Sequence, residues 1–570
     1  IDYDFACDKL KEYIKNKFYK KGENIVQSNI SSIELVNANL EEIKINDINN
    51  GLSINIDKKS VYDMMVKRKG NELKTSDFLN HPDGVFDPGQ NNSGKVSMAD
   101  IVPEYIPENC LKCNMCSFVC PHSVIRPFIL NEEEYSKVPD DIKRNATKIK
   151  VGGVDYYYTV SLSIKNCTGC GVCIETCPSK EKALIPCKLD ENTKDSKQKE
   201  FDYLNAFVTE KNLFNTSTIK GSQFVKPKFA YCGACSGCGE PAYIKLLTQL
   251  FGKQLIVANA TGCSSIYGGS APVTPYSIPW ANSLFEDNAE YGFGIYLGIS
   301  KIRKRIYKIM SENMDNENAP LFKEWIDNSD DYEITNKVYQ NINYDVCPKE
   351  LTELKNYITA STIWAIGGDG WAYDIGFSGI DHVLSSNENI NILVLDTQVY
   401  SNTGGQSSKA SPKGSIAAFA SNGKKQSKKD LARIAMAYPN AYVAQVSLGY
   451  NGMQLIKTFN EAKNHNGPSI IIAYCPCISH GIDGGLKNSV AMEKLAVESG
   501  YFPVFRRNPD NNTFIIDCNP NFDLYSDFLS KQTRYKMLNV INKEHAEELL
   551  KENKENAIKR YEYYKSLETK

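Results

Sequence analysis

Two runs of four cysteines carry the most specific chemistry in this 570-residue sequence. Each run has the spacing C-x-x-C-x-x-C-x-x-x-C and is followed directly by proline, at Pro121 and at Pro178. Thiolates spaced in this way bind 4Fe–4S clusters, and the fourth cysteine of each run ligates the cluster held by the other run. We therefore predict two clusters, one bound by Cys110, Cys113, Cys116 and Cys177 and the other by Cys167, Cys170, Cys173 and Cys120. The alternative, a zinc ribbon, has two C-x-x-C pairs instead of two four-cysteine runs.

A glycine-rich turn between two apolar runs indicates a second kind of chemistry. The runs, residues 361–366 and 390–395, have the length and branched content of buried parallel strands. The first leads into Gly368-Asp369-Gly370, where glycines allow backbone amides to approach phosphate oxygens. Because open α/β sheets bind ligands at the carboxyl ends of their strands, we predict a diphosphate held there through Mg²⁺. The oxygen ligands available to Mg²⁺ are Asp369, Thr397, Asn402 and the carbonyl of Val399. A bare Gly-Gly-Asp-Gly is explained about as often by a plain turn, and the pairing with the second segment makes the prediction specific.

The two segments together resemble the thiamine-diphosphate motif, which begins at Gly-Asp-Gly and ends with an asparagine after the next strand. The continuation from Thr403 through Gly-Gly-Gln-Ser-Ser to Lys409 and Ala410 resembles one family, the pyruvate:ferredoxin (2-oxoacid) oxidoreductases. The resemblance covers the chain from about residue 83 onward and implies thiamine diphosphate, Mg²⁺ and a catalytic role for Asn402. The cofactor contacts that it implies are Glu240, Cys263, Gly368, Asp369, Gly370, Trp371, Thr397, Gln398, Val399, Tyr400, Ser401 and Asn402, with Asp369, Thr397 and Val399 as Mg²⁺ ligands. For Glu240 the alternative is an acidic residue favoured at a helix N-terminus.

Four further cysteines are predicted to bind a third cluster. Taken alone, Cys235-x-x-Cys238 is compatible with a redox pair or with half of a zinc site. The segments Gly-Cys-Ser-Ser-Ile-Tyr and Pro-Cys-Ile-x-His-Gly downstream resemble parts of the proximal 4Fe–4S site of the same family. The ligands that this resemblance implies are Cys235, Cys238, Cys263 and Cys477. Cys232 and Cys475 are interpreted as spare thiols.

The expected fold class is α/β, with a parallel-sheet domain that binds thiamine diphosphate preceded by an α+β domain of the bacterial two-cluster ferredoxin type. The predicted segments are 1–75, the tail of a preceding α/β domain; 76–100, a linker; 101–195, the ferredoxin-like domain; 196–507, the thiamine-diphosphate-binding domain; and 508–570, a C-terminal helical extension. We also expect short strands near residues 24–27 and 33–36. The segment 302–349, polar and low in apolar periodicity, is expected to form a surface insertion.

The overall composition restricts the function. Hydrophobic residues make up 42% of the sequence and charged residues 24%, as in ordinary globular proteins. The net charge of −2 argues against a general nucleic-acid binder. We find no signal peptide and no run of eighteen apolar residues, which predicts a cytoplasmic protein without membrane insertion. The chain starts with Ile1 instead of methionine, so we expect a piece of a longer polypeptide.

The resemblance implies that pyruvate, coenzyme A and oxidised ferredoxin or flavodoxin react to give acetyl-CoA, CO₂ and the reduced carrier. Thiamine supplies the electron sink, and three 4Fe–4S clusters suit the transfer of single electrons to the carrier. The full-length enzyme is expected to be a homodimer, with its substrate domains outside this sequence. Two alternatives are an oxidoreductase for another 2-oxoacid and a non-catalytic electron-transfer fragment that needs the substrate domains.

Overall fold

The computed structural model describes residues 2–19, 22–38, 61–81, 84–86, 97–269 and 275–569, which divide into compact units at 1–60 and 61–570. In the first unit, α1 (Tyr3–Phe18) and α2 (Glu23–Ala38) pack together through Ile14, Val26 and Ile30. The strands expected near 24–27 and 33–36 are therefore wrong. Val26, Ile30 and Ile33 recur at helical spacing on the packed face of α2, whereas Ile25 and Leu35 are exposed. Residues 82–83 and 87–96 of the predicted linker lie outside the described residues.

The second unit begins with α3 (Val61–Val66) and continues into a domain with two small sheets, which we call the cluster domain, residues 101–207. Its strands are β1 (Ile101–Tyr105), β2 (Ile125–Leu130), β3 (Thr147–Val151), β4 (Val154–Leu162) and β5 (Leu184–Lys188). Strand β1 pairs with β5, and β4 lies between β2 and β3, all antiparallel. Its helices are α4 (Met115–Val119), α5 (Glu132–Lys137), α6 (Asp140–Asn145), α7 (Val172–Thr176) and α8 (Glu191–Phe207). Because Phe201 and Leu204 on α8 belong to its core, this domain extends beyond the predicted boundary at residue 195.

The rest of the described chain, from residue 219, forms what we call the sheet domain. Its strands are β6 (Leu255–Ala260), β7 (Trp280–Ser283), β8 (Thr362–Gly368), β9 (Asn391–Asp396), β10 (Tyr442–Val446), β11 (Ser469–Tyr474), β12 (Phe505–Asn508) and β13 (Thr513–Ile516). They form one sheet in the order β13-β12-β10-β11-β9-β8-β6-β7. The pairs from β10 to β7 are parallel, whereas β12 joins β10 and β13 antiparallel. The predicted parallel-sheet α/β fold is confirmed.

Helices cover both faces of this sheet. They are α9 (Ile219–Ser222), α10 (Pro241–Phe251), α11 (Cys263–Gly269), α12 (Asn288–Glu312), α13 (Ala319–Asp327), α14 (Tyr332–Asn341), α15 (Lys349–Glu353), a π-helical turn (Gly370–Ile375), α16 (Phe377–Leu384), α17 (Leu431–Ala435), α18 (Gly452–Asn464), α19 (Ser489–Glu498), α20 (Tyr525–Ser530), α21 (Thr533–Ile541) and α22 (Lys543–Ser566). On β8, Ile363 and Ala365 enter one core and Trp364 and Ile366 enter the other. Both faces of the strand are buried, which explains why its sequence is continuously apolar.

Two predicted segments differ from their expected form. The segment 302–349 has a core of its own, in which Ile306, Phe322, Trp325 and Val338 pack together between helices α12 to α14. Its apolar residues are few, but they coincide on facing helices. The predicted boundary at residue 507 falls inside the β12–β13 hairpin, so the C-terminal segment starts with a strand instead of a helix. Within the described residues, no helix has both the length and the apolar content needed to cross a membrane.

Candidate functional site: a diphosphate site beside three cysteine sets

The carboxyl ends of β8 and β9 lie side by side and carry the predicted oxygen ligands. The strands pair in register from Trp364 with Asn391 to Gly368 with Leu395, so residues that follow them meet at one edge of the sheet. Asp369 follows β8 directly and opens the π-helical turn. A side chain at Gly370 would overlap the Tyr400 ring, and one at Gly367 would overlap Trp371. Gly370 therefore permits a close approach of the two loops, and Gly367 makes room for Trp371 within the first of them.

The three oxygen groups predicted to bind Mg²⁺ come together. The Thr397 hydroxyl lies 3.0 Å from Asp369 Oδ1 and 3.1 Å from the Val399 carbonyl oxygen. The second carboxylate oxygen of Asp369 accepts a 2.6 Å hydrogen bond from Ser408. A buried carboxylate, a hydroxyl and a carbonyl form the hard oxygen set that Mg²⁺ prefers. The residues present therefore fit a divalent cation.

The electrostatics of Asp369 also fit a cation. The side chain is 2% exposed. Burial, and to a smaller extent the neighbouring Asp396 carboxylate, raises the pKa of Asp369 to about 7. A divalent cation bound to this carboxylate would remove the cost of its negative charge, because nearby opposite charge favours the ionised form.

Sequence reasoning did not identify the supporting pair Asp396 and Lys428. The Asp396 carboxylate, at the end of β9, is fully buried and accepts hydrogen bonds from Lys428 Nζ at 2.6 Å and from the Tyr373 hydroxyl at 2.9 Å. Because the two residues are 32 positions apart, no short sequence motif indicates the pair. Lys428 compensates the charge of a carboxylate that lies next to Asp369.

Gln398, a predicted cofactor contact, is held by several protein partners. Its backbone has a φ of +63°, its N–H donates to Asp396, and its carbonyl accepts from Ser411. Its amide oxygen accepts hydrogen bonds from Tyr501 at 2.6 Å and Arg534 at 2.9 Å. These bonds fix the loop after β9, and the role of Gln398 as a cofactor contact stays a prediction.

The remaining predicted contacts are distributed around the same edge. The indole N–H of Trp371 is buried and has no hydrogen-bond partner among the described residues, so it remains available to a ligand. Glu240, at the start of α10, is buried and accepts a 3.0 Å hydrogen bond from Tyr267. Burial raises the pKa of Glu240 to about 7, and the Tyr267 hydrogen bond acts in the opposite direction. Asn402 is exposed in the turn after Ser401, and its catalytic role stays a prediction.

The four cysteines predicted to bind the proximal cluster come from three separate elements of the sheet domain. Cys235 and Cys238 lie in a turn before α10, Cys263 begins α11, and Cys477 follows β11. The turn is fixed against the third element, because the Gly239 N–H donates to the Pro476 carbonyl at 3.1 Å and a side chain at Gly239 would overlap that proline. Burial raises the pKa of the Cys263 thiol, and Glu240 and then Cys477 and Cys235 contribute to the rise, which indicates that these groups lie near one another.

The two cysteines interpreted as spare thiols have other partners. The Cys475 thiol is fully buried and donates to the Ala473 carbonyl. Cys232 donates to the Pro121 carbonyl at 3.5 Å. His480 connects the proximal set to the oxygen site, since its Nε2 donates to the Thr397 carbonyl at 2.7 Å and its Nδ1 accepts from the Cys477 N–H.

The electrostatic neighbours of the cluster-domain cysteines fit the crossed assignment, which stays a prediction. Burial raises the pKa of Cys116, with further contributions from Cys110, Cys113 and then Cys177. The pKa of Cys173 rises through burial and then through Cys120, Cys170, Cys116 and Cys167. Together with Tyr105, Leu111, Asn114, Tyr158, Val160, Pro178, Ser179, Ala183 and Leu184, the first set lines one cavity. Buried thiols that resist ionisation on their own fit a cationic iron centre, which stabilises the thiolate.

The two cysteine runs also share a backbone conformation. Lys112 and Asn114 have φ values of +56° and +62°, and the residues at the matching positions, Gly169 and Gly171, have +66° and +78°. Backbone N–H groups of Lys112 and Gly169 donate to the sulfurs of the first cysteine in each run. Hydrogen bonds of this kind to cysteine sulfur adjust the potential of an iron–sulfur cluster. Within the described part of the chain, no three His, Cys, Asp or Glu side chains converge on a site for a single metal ion.

Two parts of the chain match known domain families. Residues 354–473 match the C-terminal TPP binding domain of thiamine pyrophosphate enzymes, and residues 106–181 match a 4Fe-4S dicluster domain. The chain thus joins a thiamine-diphosphate-binding domain to a two-cluster iron–sulfur domain.

Sequence identity to individual proteins then indicates a particular family within this class. The chain is 40% identical to the pyruvate:ferredoxin oxidoreductase of Moorella thermoacetica and 38% identical to the pyruvate-flavodoxin oxidoreductase of Klebsiella pneumoniae, in both cases over 100% of this chain and 51% of the relative. It is 37% identical to the mitochondrial NADP⁺ pyruvate dehydrogenase of Euglena gracilis, over 88% of this chain and 29% of the relative. The resemblance to pyruvate:ferredoxin oxidoreductases is confirmed, and the chain spans about half the length of the first two relatives.

Proposed function

We propose that this chain binds thiamine diphosphate, Mg²⁺ and three 4Fe–4S clusters, and serves in the oxidative decarboxylation of pyruvate with coenzyme A to acetyl-CoA and CO₂. Ferredoxin or flavodoxin is the proposed electron acceptor. Both carriers occur in the names of relatives that align with the whole chain. The homodimeric state and the cytoplasmic location stay predictions.

One observation carries this proposal: a predicted cluster ligand lies beside the predicted Mg²⁺ site. The Cys263 sulfur is 3.2 Å from the Ser401 hydroxyl, and that hydroxyl is 3.5 Å from the Thr397 hydroxyl. Thr397 in turn contacts Asp369 and the Val399 carbonyl. A single serine therefore connects the oxygen site to the proximal cysteine set, which supports electron transfer between the two groups that these residues would bind.

Each residue of the oxygen site has a proposed role in holding the cofactors. Asp369, Thr397 and Val399 would hold Mg²⁺, and Lys428 would keep the adjoining Asp396 charge compensated. When bound, thiamine diphosphate supplies a carbanion and an electron sink, and 4Fe–4S clusters supply one-electron carriers. Burial of Asp369 and Thr397 excludes water from the oxygen site, which strengthens electrostatic contacts there.

Glu240 provides a proton-holding group next to the proximal cysteines. With a pKa raised to about 7 by burial, its carboxyl group retains a proton over a wider pH range than an exposed glutamate does. Its charge is felt by Cys238 and Cys263, both predicted ligands of the proximal cluster. A protonated Glu240 would therefore add no further negative charge beside a thiolate-ligated cluster.

The decisive experiment measures three quantities on anaerobically prepared protein. We expect about twelve iron atoms per chain, from three four-iron clusters, and thiamine-diphosphate binding that requires Mg²⁺. We also expect pyruvate- and coenzyme-A-dependent reduction of ferredoxin or flavodoxin once a polypeptide supplies the other half of the relatives' length. The Asp369→Ala variant should lose Mg²⁺-dependent binding and keep its iron, whereas Asp381→Ala, on α16 of the same unit, should behave like the unsubstituted chain. Full loading at only eight irons, or binding that is indifferent to Asp369, contradicts the proposal.

A further inference from the structure

A buried ammonium group of the sheet domain lies inside the cluster domain. Lys245, on α10, is only 1% exposed. Its Nζ donates to the carbonyl oxygens of Ser117, Phe118 at 2.8 Å and Cys120 at 3.4 Å. These carbonyls lie at the C-terminal end of α4, where helix carbonyls lack intrahelical partners and attract cations. The contact therefore places a positive charge at the backbone of a predicted cluster ligand.

The second cysteine run has a corresponding lysine. Lys182 Nζ donates to the Glu175 carbonyl at 3.1 Å and to the Cys177 carbonyl at 2.6 Å, at the end of α7. In the repeated spacing, Glu175 and Cys177 occupy the positions that Phe118 and Cys120 occupy in the first run. The same cation position is thus filled twice, once by the cluster domain itself and once by the sheet domain.

The two lysines differ in their exposure to solvent. Lys182 is exposed, so water and salt screen its charge. Lys245 is buried, where a charge acts through a lower effective dielectric. The three carbonyl oxygens around Nζ accept from all three N–H bonds of an ammonium group, so these contacts fit the charged form of Lys245.

The cluster predicted at Cys120 is also the one next to the proximal set. Its other predicted ligands lie in the run that begins at Cys167, and Thr168 in this run accepts a 3.1 Å hydrogen bond from Ser236. Ser236 lies between Cys235 and Cys238 of the proximal set. Leu111, in the run that supplies most ligands of the other cluster, is exposed. The Cys120 carbonyl thus links Lys245 to the cluster predicted at the inner side of the cluster domain, and the other predicted cluster lies nearer the exposed Leu111.

We propose that Lys245 raises the reduction potential of the inner cluster, bound by Cys120, Cys167, Cys170 and Cys173, so that this cluster accepts an electron from the proximal site more readily. Gaining an electron makes the cluster more negative, and a fixed positive charge stabilises that state. Lys245 is a positioning residue for charge and touches no reacting atom. The inference rests on the proposed cluster binding.

The test is a redox titration of the anaerobic chain, followed by electron paramagnetic resonance, with Lys245→Met compared with the unsubstituted protein. Methionine has a similar length and no charge. At full iron content, we expect the inner-cluster potential to fall by at least 59 mV, which is a tenfold change in the oxidised-to-reduced ratio of a one-electron couple. Lys245→Arg should restore the original potential. The inner-cluster signal is identified with Cys167→Ser, which alters the ligation of this cluster alone.

Lys182→Met is the matched control at the equivalent exposed position. We expect it to change the potential of the outer cluster by less than tenfold in the same ratio, and we expect this change to shrink as salt is added. Fully loaded Lys245→Met protein with unchanged potentials overturns the inference. An equal change in both lysine variants also overturns it, because burial would then make no difference.

The iron content of the variants distinguishes an effect on the reduction potential from an effect on cluster binding. If Lys245→Met loses iron, Lys245→Gln, which can still donate to the carbonyls, replaces it in the titration. Loss of iron from both neutral variants assigns Lys245 to assembly of the domain contact and overturns a role in setting the potential. If the unsubstituted chain itself fails to bind iron in the cluster domain, the proposed function fails before this inference is reached.

Discussion

Replacing Asp369 with asparagine should make the cofactor-free protein more stable at neutral pH while it removes cofactor binding. The pKa of this buried carboxyl rises from the usual 3.8 to about 7. A group with a raised pKa in the folded state contributes stability that is fully present below about pH 4 and is lost as pH rises through about pH 7. Ionised Asp369 therefore destabilises the folded protein at neutral and higher pH, and asparagine cannot ionise.

The magnitude follows from this pKa. A rise of about three pH units, at about 1.4 kcal/mol for each unit, corresponds to a cost of about 4 kcal/mol above pH 7. Asparagine keeps the shape and one acceptor oxygen for the Thr397 and Ser408 hydroxyls, and we subtract about 1 kcal/mol for a weaker hydrogen bond. The net gain at pH 8 is about 3 kcal/mol. In a unit as large as 61–570, about 2 cal/mol/K of unfolding entropy per residue gives about 1 °C per kcal/mol, so the unfolding temperature should rise by about 3 °C.

The assay is thermal unfolding of the iron-loaded protein after Mg²⁺ and thiamine diphosphate are removed by chelation and gel filtration. The Asp369→Asn variant should melt above the unsubstituted protein at pH 8, and the difference should shrink towards pH 5. Adding Mg²⁺ and thiamine diphosphate should raise the unfolding temperature of the unsubstituted protein alone. The reasoning is refuted if the variant melts lower at pH 8, if the difference does not depend on pH, or if the cofactors stabilise both proteins equally.

Three further substitutions test other parts of the site. Cys263→Ala should lower the iron content from about twelve to about eight atoms per chain, because the ligands of the cluster domain are untouched. Cys187→Ala, outside the predicted sets, should leave the iron content unchanged. Iron analysis of both variants that shows the same content would contradict a ligand role for Cys263. Tyr501→Phe removes a 2.6 Å hydrogen bond to Gln398, and the loss of about 0.5–1.5 kcal/mol should weaken thiamine-diphosphate binding up to about tenfold without changing iron; titration calorimetry that shows unchanged affinity would contradict the supporting role of this bond. Trp364→Ala removes a fully buried ring that packs against two phenylalanines and should destabilise the sheet domain by about 3–5 kcal/mol; a chain that melts at the original temperature would exclude a core position for this residue.

The sequence was most informative where chemistry depends on short spacings. The eight cysteines of the cluster domain were predicted from two repeated runs, since three thiolates that bind one iron–sulfur cube must be close in the chain. The Gly-Asp-Gly turn and Thr397 were predicted for a related reason, because they follow adjacent strands whose apolar runs are easily recognised. Burial on both faces of β8 and β9 makes these runs continuous, so their positions depend little on the rest of the fold.

Secondary structure was less predictable where apolar residues are sparse. Helix α2 was expected to contain strands, and the helices between residues 302 and 349 were expected to form a surface insertion. In both cases a few apolar residues at helical spacing are buried against neighbouring helices, and the polar residues between them hide the pattern. For α2, the choice of helix over the expected strands agrees with its packing against α1.

The contacts that complete the site were decided by tertiary structure alone. Lys428 reaches Asp396 from 32 residues away, Arg534 reaches Gln398 from 136 residues away, and Lys245 reaches the Cys120 carbonyl from 125 residues away. Each is a buried charged side chain whose stability requires a partner supplied by another element. No sequence spacing encodes such a pair, because it forms only when folding removes both groups from water. The sequence by itself thus predicted which residues serve as ligands, and the tertiary structure determined which charges surround them.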